Sequence, residues 1–196
     1  MNRFCTLLLL FALPLTAVCA PVDYAGNVAS LINPTKLVTL KERGANPRVQ
    51  KYVYWLAAAR ADKIDPGKVA TEAVRLSGYT NAQSGELTKT AILRNLSIAD
   101  KLGCLDADGL EQMRHGKSPT VKRGPDAGQE LSVDHIIPRS VVPELDNVIA
   151  NLELLPLKLN ESKNAKIGRR QRDLAGKLFR AGLLSADGLK AVQSHQ

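Results

Sequence analysis

Cysteine is nearly absent from this chain: three stand in 196 residues, at positions 5, 19 and 104. Two of them fall in the opening "MNRFCTLLLLFALPLTAVCA", where Arg3, an apolar run over 7–18 and small residues before Pro21 have the layout of a secretory signal peptide. Cleavage is expected after Ala20, with a lipid anchor at Cys19 as the lesser alternative because Val18 fits a lipobox poorly. Removal of the leader leaves Cys104 alone, which excludes an intramolecular disulfide and predicts a buried thiol. Long apolar runs are also missing after residue 20, which excludes a membrane span and predicts a soluble, secreted or periplasmic protein. Histidine is scarce too: only His115, His135 and His195 are present.

Positive charge, by contrast, is plentiful. The whole chain carries +8 and the leader holds only Arg3, so the mature protein remains basic and suited to polyanionic partners. Between residues 156 and 182 stand Lys158, Lys163, Lys166, Arg169, Arg170, Arg172, Lys177 and Arg180, against Glu161 and Asp173. A solvated helix face and a nucleic-acid contact surface both account for such a run.

The pattern before residue 115 is helical. Apolar residues at helical spacing predict a helix over 46–63 with Asn46 as N-cap and Pro47 in its first turn, its "YVYW" directed to the core. A second helix is expected from Asp65 and Pro66 to a stop at Gly78, and a third over about 86–102. An internal echo, "GCLDADGLEQM" and "GLLSADGLKAV", places a glycine stop, a cap (Asp106 or Ser185) and Ala-Asp-Gly-Leu in the same order, which predicts two helical corners. Residues 116–129 are rich in Pro, Gly and charge and read as an exposed loop. Beyond them the rhythm changes to short apolar runs at 131–137 and 152–157, then a polar, basic helix from about residue 160. The expected class is therefore α+β and mostly helical. A helical region over 21–115 is followed by a strand, strand, helix module over 130–180 and a C-terminal helix over 181–196.

The chemistry-bearing stretch is "LSVDHIIPRSVVPELDNVIANLELLPLKLNESK". Phosphodiester hydrolysis needs a base for water and a cation to neutralise charge growing on the phosphate. Histidine supplies a base near neutral pH. A hard ion that keeps most of its water shell needs only one or two protein oxygens, for which Asp134 and Asn160 suffice. Neighbouring residues on a strand face opposite ways, so a bend after Val133 is expected if Asp134 and His135 are to serve one phosphate.

Those residues and their spacing resemble the HNH endonucleases of the ββα-metal fold. The likeness rests on "VDHIIPRS", on Asn151 in "ANLELL" and on Asn160 with Lys163 in an Asn-x-x-Lys ending, and it covers about residues 130–168. The resemblance implies that His135 is the general base, that Asp134 and Asn160 hold one divalent metal, Mg²⁺ or alternatively Mn²⁺, and that Asn151 supports the turn that orients the histidine. Arg139 in the turn and the basic residues Lys163, Lys166, Arg169, Arg170 and Arg172 are the candidate nucleic-acid contacts. Many members of the family carry two Cys-x-x-Cys pairs, but here Pro156 and Leu159 stand where the second would fall, so no structural zinc is expected. What the resemblance implies is a secreted metal-dependent nuclease acting on DNA, or on RNA, with weak sequence preference. A non-catalytic nucleic-acid-binding protein and a secreted nuclease toxin are the alternatives.

Overall fold

The computed structural model describes residues 21–163 and 165–195; the expected leader lies outside them. Its elements are α1 (Tyr24–Ile32), α2 (Pro34–Leu37), α3 (Asn46–Ala61), α4 (Pro66–Ser77), α5 (Ala82–Lys101), α6 (Ala107–Arg114), β1 (Leu131–His135), β2 (Leu152–Pro156), α7 (Leu157–Ser162), α8 (Arg169–Arg180) and α9 (Ala186–Ser194). The protein is α+β and predominantly helical, with one small antiparallel sheet. No described helix is long and apolar enough to cross a membrane.

Local chemistry accounts for most boundaries. Asp65 accepts from the Gly67 amide to cap α4, and Gly78 ends it at φ +90°, a conformation that disfavours any side chain. The repeated corners also follow the sequence: Gly103 and Gly182 turn the chain at φ +71° and +70°, and the Asp106 and Ser185 side chains cap α6 and α9 by accepting from the amides of Gly109 and Gly188. Two boundaries differ from expectation. Asn46 is the first residue of α3 rather than its cap, a place taken by Ala45. Helix α5 begins at Ala82 because Asn81 accepts from the Gln83 amide, a full turn before the anticipated start.

The sheet is a hairpin whose two faces differ. Leu131, Val133, Leu152 and Leu154 enter the large core formed with α1 and α3–α6. Beyond the strands, Ile137, Val142, Leu145 and Ala150 form a second core with Ala175, Leu178, Leu184 and Val192 from α8, α9 and the turn between them. A two-stranded hairpin is marginal by itself, and its exposed ladder edges need partners. Here helices supply them. Asn95 of α5 accepts from the Leu154 amide at 3.0 Å and donates to the Leu152 carbonyl at 3.2 Å, taking the place a third strand would have. Gln50 of α3 donates to the Leu131 carbonyl at 2.9 Å.

The stretch over 116–129 is tied down more than its composition suggests. Pro119 and Val121 are buried, Thr120 pairs with Glu130 in an isolated bridge, and the Leu131 amide donates to the Pro119 carbonyl. The basic helix expected to run on from residue 160 is in fact two helices. Helix α7 ends at Ser162, Ile167 drops into the second core, and Gly168 is extended at the start of α8, where Gln171 accepts from its amide at 3.0 Å.

Candidate active site

Strand β1 runs unbent through Val133 and Asp134 to His135, with Asp134 opposite Glu153 and His135 opposite Leu152. The bend anticipated after Val133 comes instead at Ile136 and Ile137. Asp134 and His135 therefore leave the strand on opposite sides and meet only around its end. There a cavity of about 710 Å³ is lined by both, together with Asn160, Lys163, Arg139 and Glu42 among others.

Three bonds from Asn151 hold the histidine's strand end. The Asn151 side chain accepts from the Ile137 amide at 2.8 Å and donates to the Ile137 carbonyl at 3.0 Å, while its own carbonyl accepts from the Ile136 amide. Asn151 is fully buried, so these partners replace water completely. His135 itself is buried, and its Nε2 lies 2.9 Å from the Asp146 carbonyl and 3.0 Å from Asp146 Oδ1. A carbonyl oxygen can only accept, so Nε2 carries a proton, and in the neutral ring the lone pair lies on Nδ1. Oδ1 is close but poorly aligned, and the carbonyl is the partner in hydrogen-bonding geometry.

Asp146 is the site residue that sequence reasoning missed. Its own position is set from the far end of the chain: the Arg43 amide donates to Asp146 Oδ2 at 2.9 Å. Next to it, Asn147 accepts from the Ala45 amide and donates to the carbonyls of Leu40 and Lys41. Arg43 holds φ +54°, a strained value for a residue with a side chain. No clear signal in the sequence marks Asp146, one of two acids in "VVPELDNVIANL".

The polar face of the sheet carries two carboxylates directly opposite one another, Asp134 and Glu153, both buried. Like charges in that relation repel, and each has its own cation. The Lys163 ammonium contacts Asp134 Oδ2 and donates to the His135 carbonyl at 3.0 Å. Arg170 grips Glu153 with both terminal nitrogens, Nη1 to Oε1 at 2.9 Å. Its pKa is raised, first by that bond and also by the charges of Glu153 and Asp134. From α7, Asn160 donates through Nδ2 to Ser132 Oγ at 3.0 Å and the Val133 carbonyl at 3.4 Å. Those acceptors fix that branch as the nitrogen and leave Oδ1 as the other.

The donor set suits one kind of metal. Among the described residues no group of three or more His, Cys, Asp and Glu side chains could hold an ion, so a closed four-ligand zinc centre has no donors here. One carboxylate and one amide oxygen beside a roomy cavity fit a hard divalent ion that keeps most of its water. A cation already occupies the carboxylate: Lys163 sits between Asp134 and the His135 carbonyl, and a divalent ion would have to turn it aside.

The remaining candidate residues scatter. Arg139 lines the cavity mouth but is paired with Glu42 at 2.7 Å, the bond that raises its pKa. Arg169 and Arg170 line a different cavity. Arg172 donates to the carbonyls of Ile167 and His195, tying α8 to the end of the chain, and Lys166 is exposed. His115 pairs with Glu111 on the surface at 2.8 Å, far in sequence from this constellation. Comparisons with protein-family models, with curated proteins and with solved structures found no match for this chain.

Proposed function

We propose that this protein is a secreted, metal-dependent endonuclease of the HNH type. It cleaves phosphodiester bonds of DNA, with RNA as the alternative substrate. The observation that carries the reading is the fixed tautomer of His135: a buried imidazole donates from Nε2 to a backbone carbonyl, which reserves Nδ1 as a base in a cavity it shares with Asp134 and Asn160.

In this reading Nδ1 of His135 takes a proton from water as the water oxygen attacks phosphorus. The P–O3′ bond breaks, giving a 5′-phosphate and a 3′-hydroxyl. Asp146 keeps the imidazole in one orientation throughout, and Asn151 holds the turn from which it projects. Asp134 and Asn160 would hold a divalent ion, which would supply charge stabilisation for the phosphate and the departing oxygen. Lys163, once turned from Asp134, places a second positive charge at the same cavity. Asn147 and the 40–45 segment brace Asp146 from behind, which gives the helical region a share in positioning the base.

One observation favours a second reading. Asp134 is already neutralised by Lys163, as in a protein that binds nucleic acid and has no need of a metal. The test is incubation of the chain from Pro21 with supercoiled plasmid, with Mg²⁺ or with chelator, beside His135→Ala. A positioned base contributes roughly 10²–10⁴-fold, so metal-dependent nicking that falls by that factor in the variant is expected. Plasmid retardation without cleavage by the unaltered protein would leave the binder.

A further inference from the structure

A second cavity, of about 420 Å³, opens beside the polar face of the sheet. Arg94 of α5, Arg169, Arg170 and Lys177 of α8, Ile136, Leu174 and Asp173 line it. Four cations thus converge on one concave surface whose only acidic lining residue is Asp173. Arg170 is committed to Glu153, and Arg169 reaches Asp173 only at 3.7 Å. Neither Arg94 nor Lys177 has a carboxylate within ion-pair distance among the described residues.

Arg94 is the telling member. Its guanidinium is largely desolvated, which lowers its pKa; the nearby Glu153 carboxylate offsets part of that, and the charge of Arg170 lowers it further. Its Nε is buried without a partner. Its one hydrogen bond among the described residues, Nη2 to the Leu152 carbonyl at 3.0 Å, duplicates what Asn95 already provides to that oxygen. A half-buried cation whose nearest counter-charge, Glu153, is already gripped by a second arginine is costly, and an apolar residue of similar size would fill the place more cheaply. An arginine crowded against another arginine at the wall of a cavity has a physical rationale when an anion completes the arrangement. Planar guanidinium groups in such a fork suit phosphate oxygens.

We propose that this cavity is a phosphate subsite for the nucleic-acid backbone, separate from the position at which cleavage occurs and built jointly by the helical region and α8. The assignment rests on nucleic acid being the ligand, and it gives α5 a direct part in substrate binding. Ile136, which follows His135 in the chain, forms part of the cavity wall.

The test is fluorescence anisotropy of a short labelled DNA duplex with the chain from Pro21, in chelator, over a range of salt. Each phosphate contact adds about one to the steepness of the plot of log affinity against log salt. Arg94→Gln and Lys177→Gln are each expected to lower that slope by about one and to weaken binding roughly tenfold at low salt. Lys190→Gln, an exposed lysine of α9 outside the cavity, controls for net charge and should leave the slope unchanged. If both cavity variants behave like Lys190→Gln while the unaltered protein binds, the subsite is refuted and the nucleic-acid reading stands. Failure of the unaltered protein to bind any duplex or single strand would remove both. Lys177 is exposed and its replacement cannot disturb the core, so it decides the matter if thermal melting shows Arg94→Gln to be unfolded.

Discussion

Replacing Asn95 by alanine tests the architecture at its most economical point. The side chain is fully buried and makes three bonds: to the Leu154 amide, to the Leu152 carbonyl and, at 2.6 Å, to the hydroxyl of Tyr52. The Leu152 carbonyl keeps Arg94 after the change, but the Leu154 amide and the buried Tyr52 hydroxyl lose their recorded partner. Each polar group stranded in the interior costs about 1–3 kcal/mol, so the variant should lose about 2–6 kcal/mol. A domain of ordinary stability has only about 5–15 kcal/mol in total. Urea unfolding followed by circular dichroism measures the loss as a drop in midpoint at constant slope. Adding Tyr52→Phe separates the terms, because it removes the hydroxyl as well. The double variant should cost less than the sum of the single changes by roughly 1 kcal/mol or more. A loss for Asn95→Ala below about 1 kcal/mol would refute the idea that a helix side chain closes this sheet edge.

Three further outcomes follow from the structure. Lys163→Met removes the resident cation from Asp134, so calorimetric titration with Mn²⁺ should show binding at least about tenfold tighter, or roughly 1.4 kcal/mol. The same variant without metal should melt lower because a buried carboxylate loses its partner. Arg43→Gly relieves a positive φ while keeping the amide bond to Asp146, and should raise stability by about 1 kcal/mol in urea unfolding; a loss would show that the Arg43 side chain does more than its backbone. Burial, and to a lesser degree Asp106, pushes the Cys104 thiol up to about 11. The folded thiol therefore keeps its proton to a higher pH than the unfolded one, and stability must fall as pH rises from the ordinary thiol range towards that value. The difference in urea midpoint between the unaltered protein and Cys104→Ala should shrink across that window, and a constant difference would contradict it.

How much of this was legible depended on distance along the chain. Asp65 with Pro66, Gly78, and the two Ala-Asp-Gly-Leu corners are local devices: cap, turn and helix lie within a few residues, so the sequence displays them together. The short apolar runs at 131–137 and 152–157 likewise reveal two strands, though not which face of the hairpin is buried. Asp134, His135, Asn151 and Asn160 could be singled out together because their motif resembles that of a known family, and the structure brings Asp134, His135 and Asn160 to one cavity with Asn151 behind them. Asp146 was invisible for a different reason. Its contribution is made mainly through a backbone carbonyl, which every residue possesses. Arg94 and Asn95 were hidden because a polar pair within an amphipathic helix looks like its solvated side until β2, nearly sixty residues later, docks on it. The break between α7 and α8 escaped because Ile167, one apolar residue in a basic run, gives no periodic signal.

The contacts between helices α3 and α5 and the hairpin have a consequence for how the chain can be divided. Residues 122–128 form an exposed tip, and nothing lies within 4 Å of a side chain placed at Gly124 or Gly128. Helices α1–α6 lie wholly before that tip and β1, β2 and α7–α9 wholly after it, while the larger core is shared between the two halves. A cut at the tip severs no buried contact, and the pieces remain joined by the bonds of Gln50, Asn95 and Asn147. Fragments made by a cut at the tip are in this sense expected to complement one another. Each half alone would leave its share of the core bare, and His135 with its Asp146 partner would meet the segment over 40–45 that braces them only on reassociation.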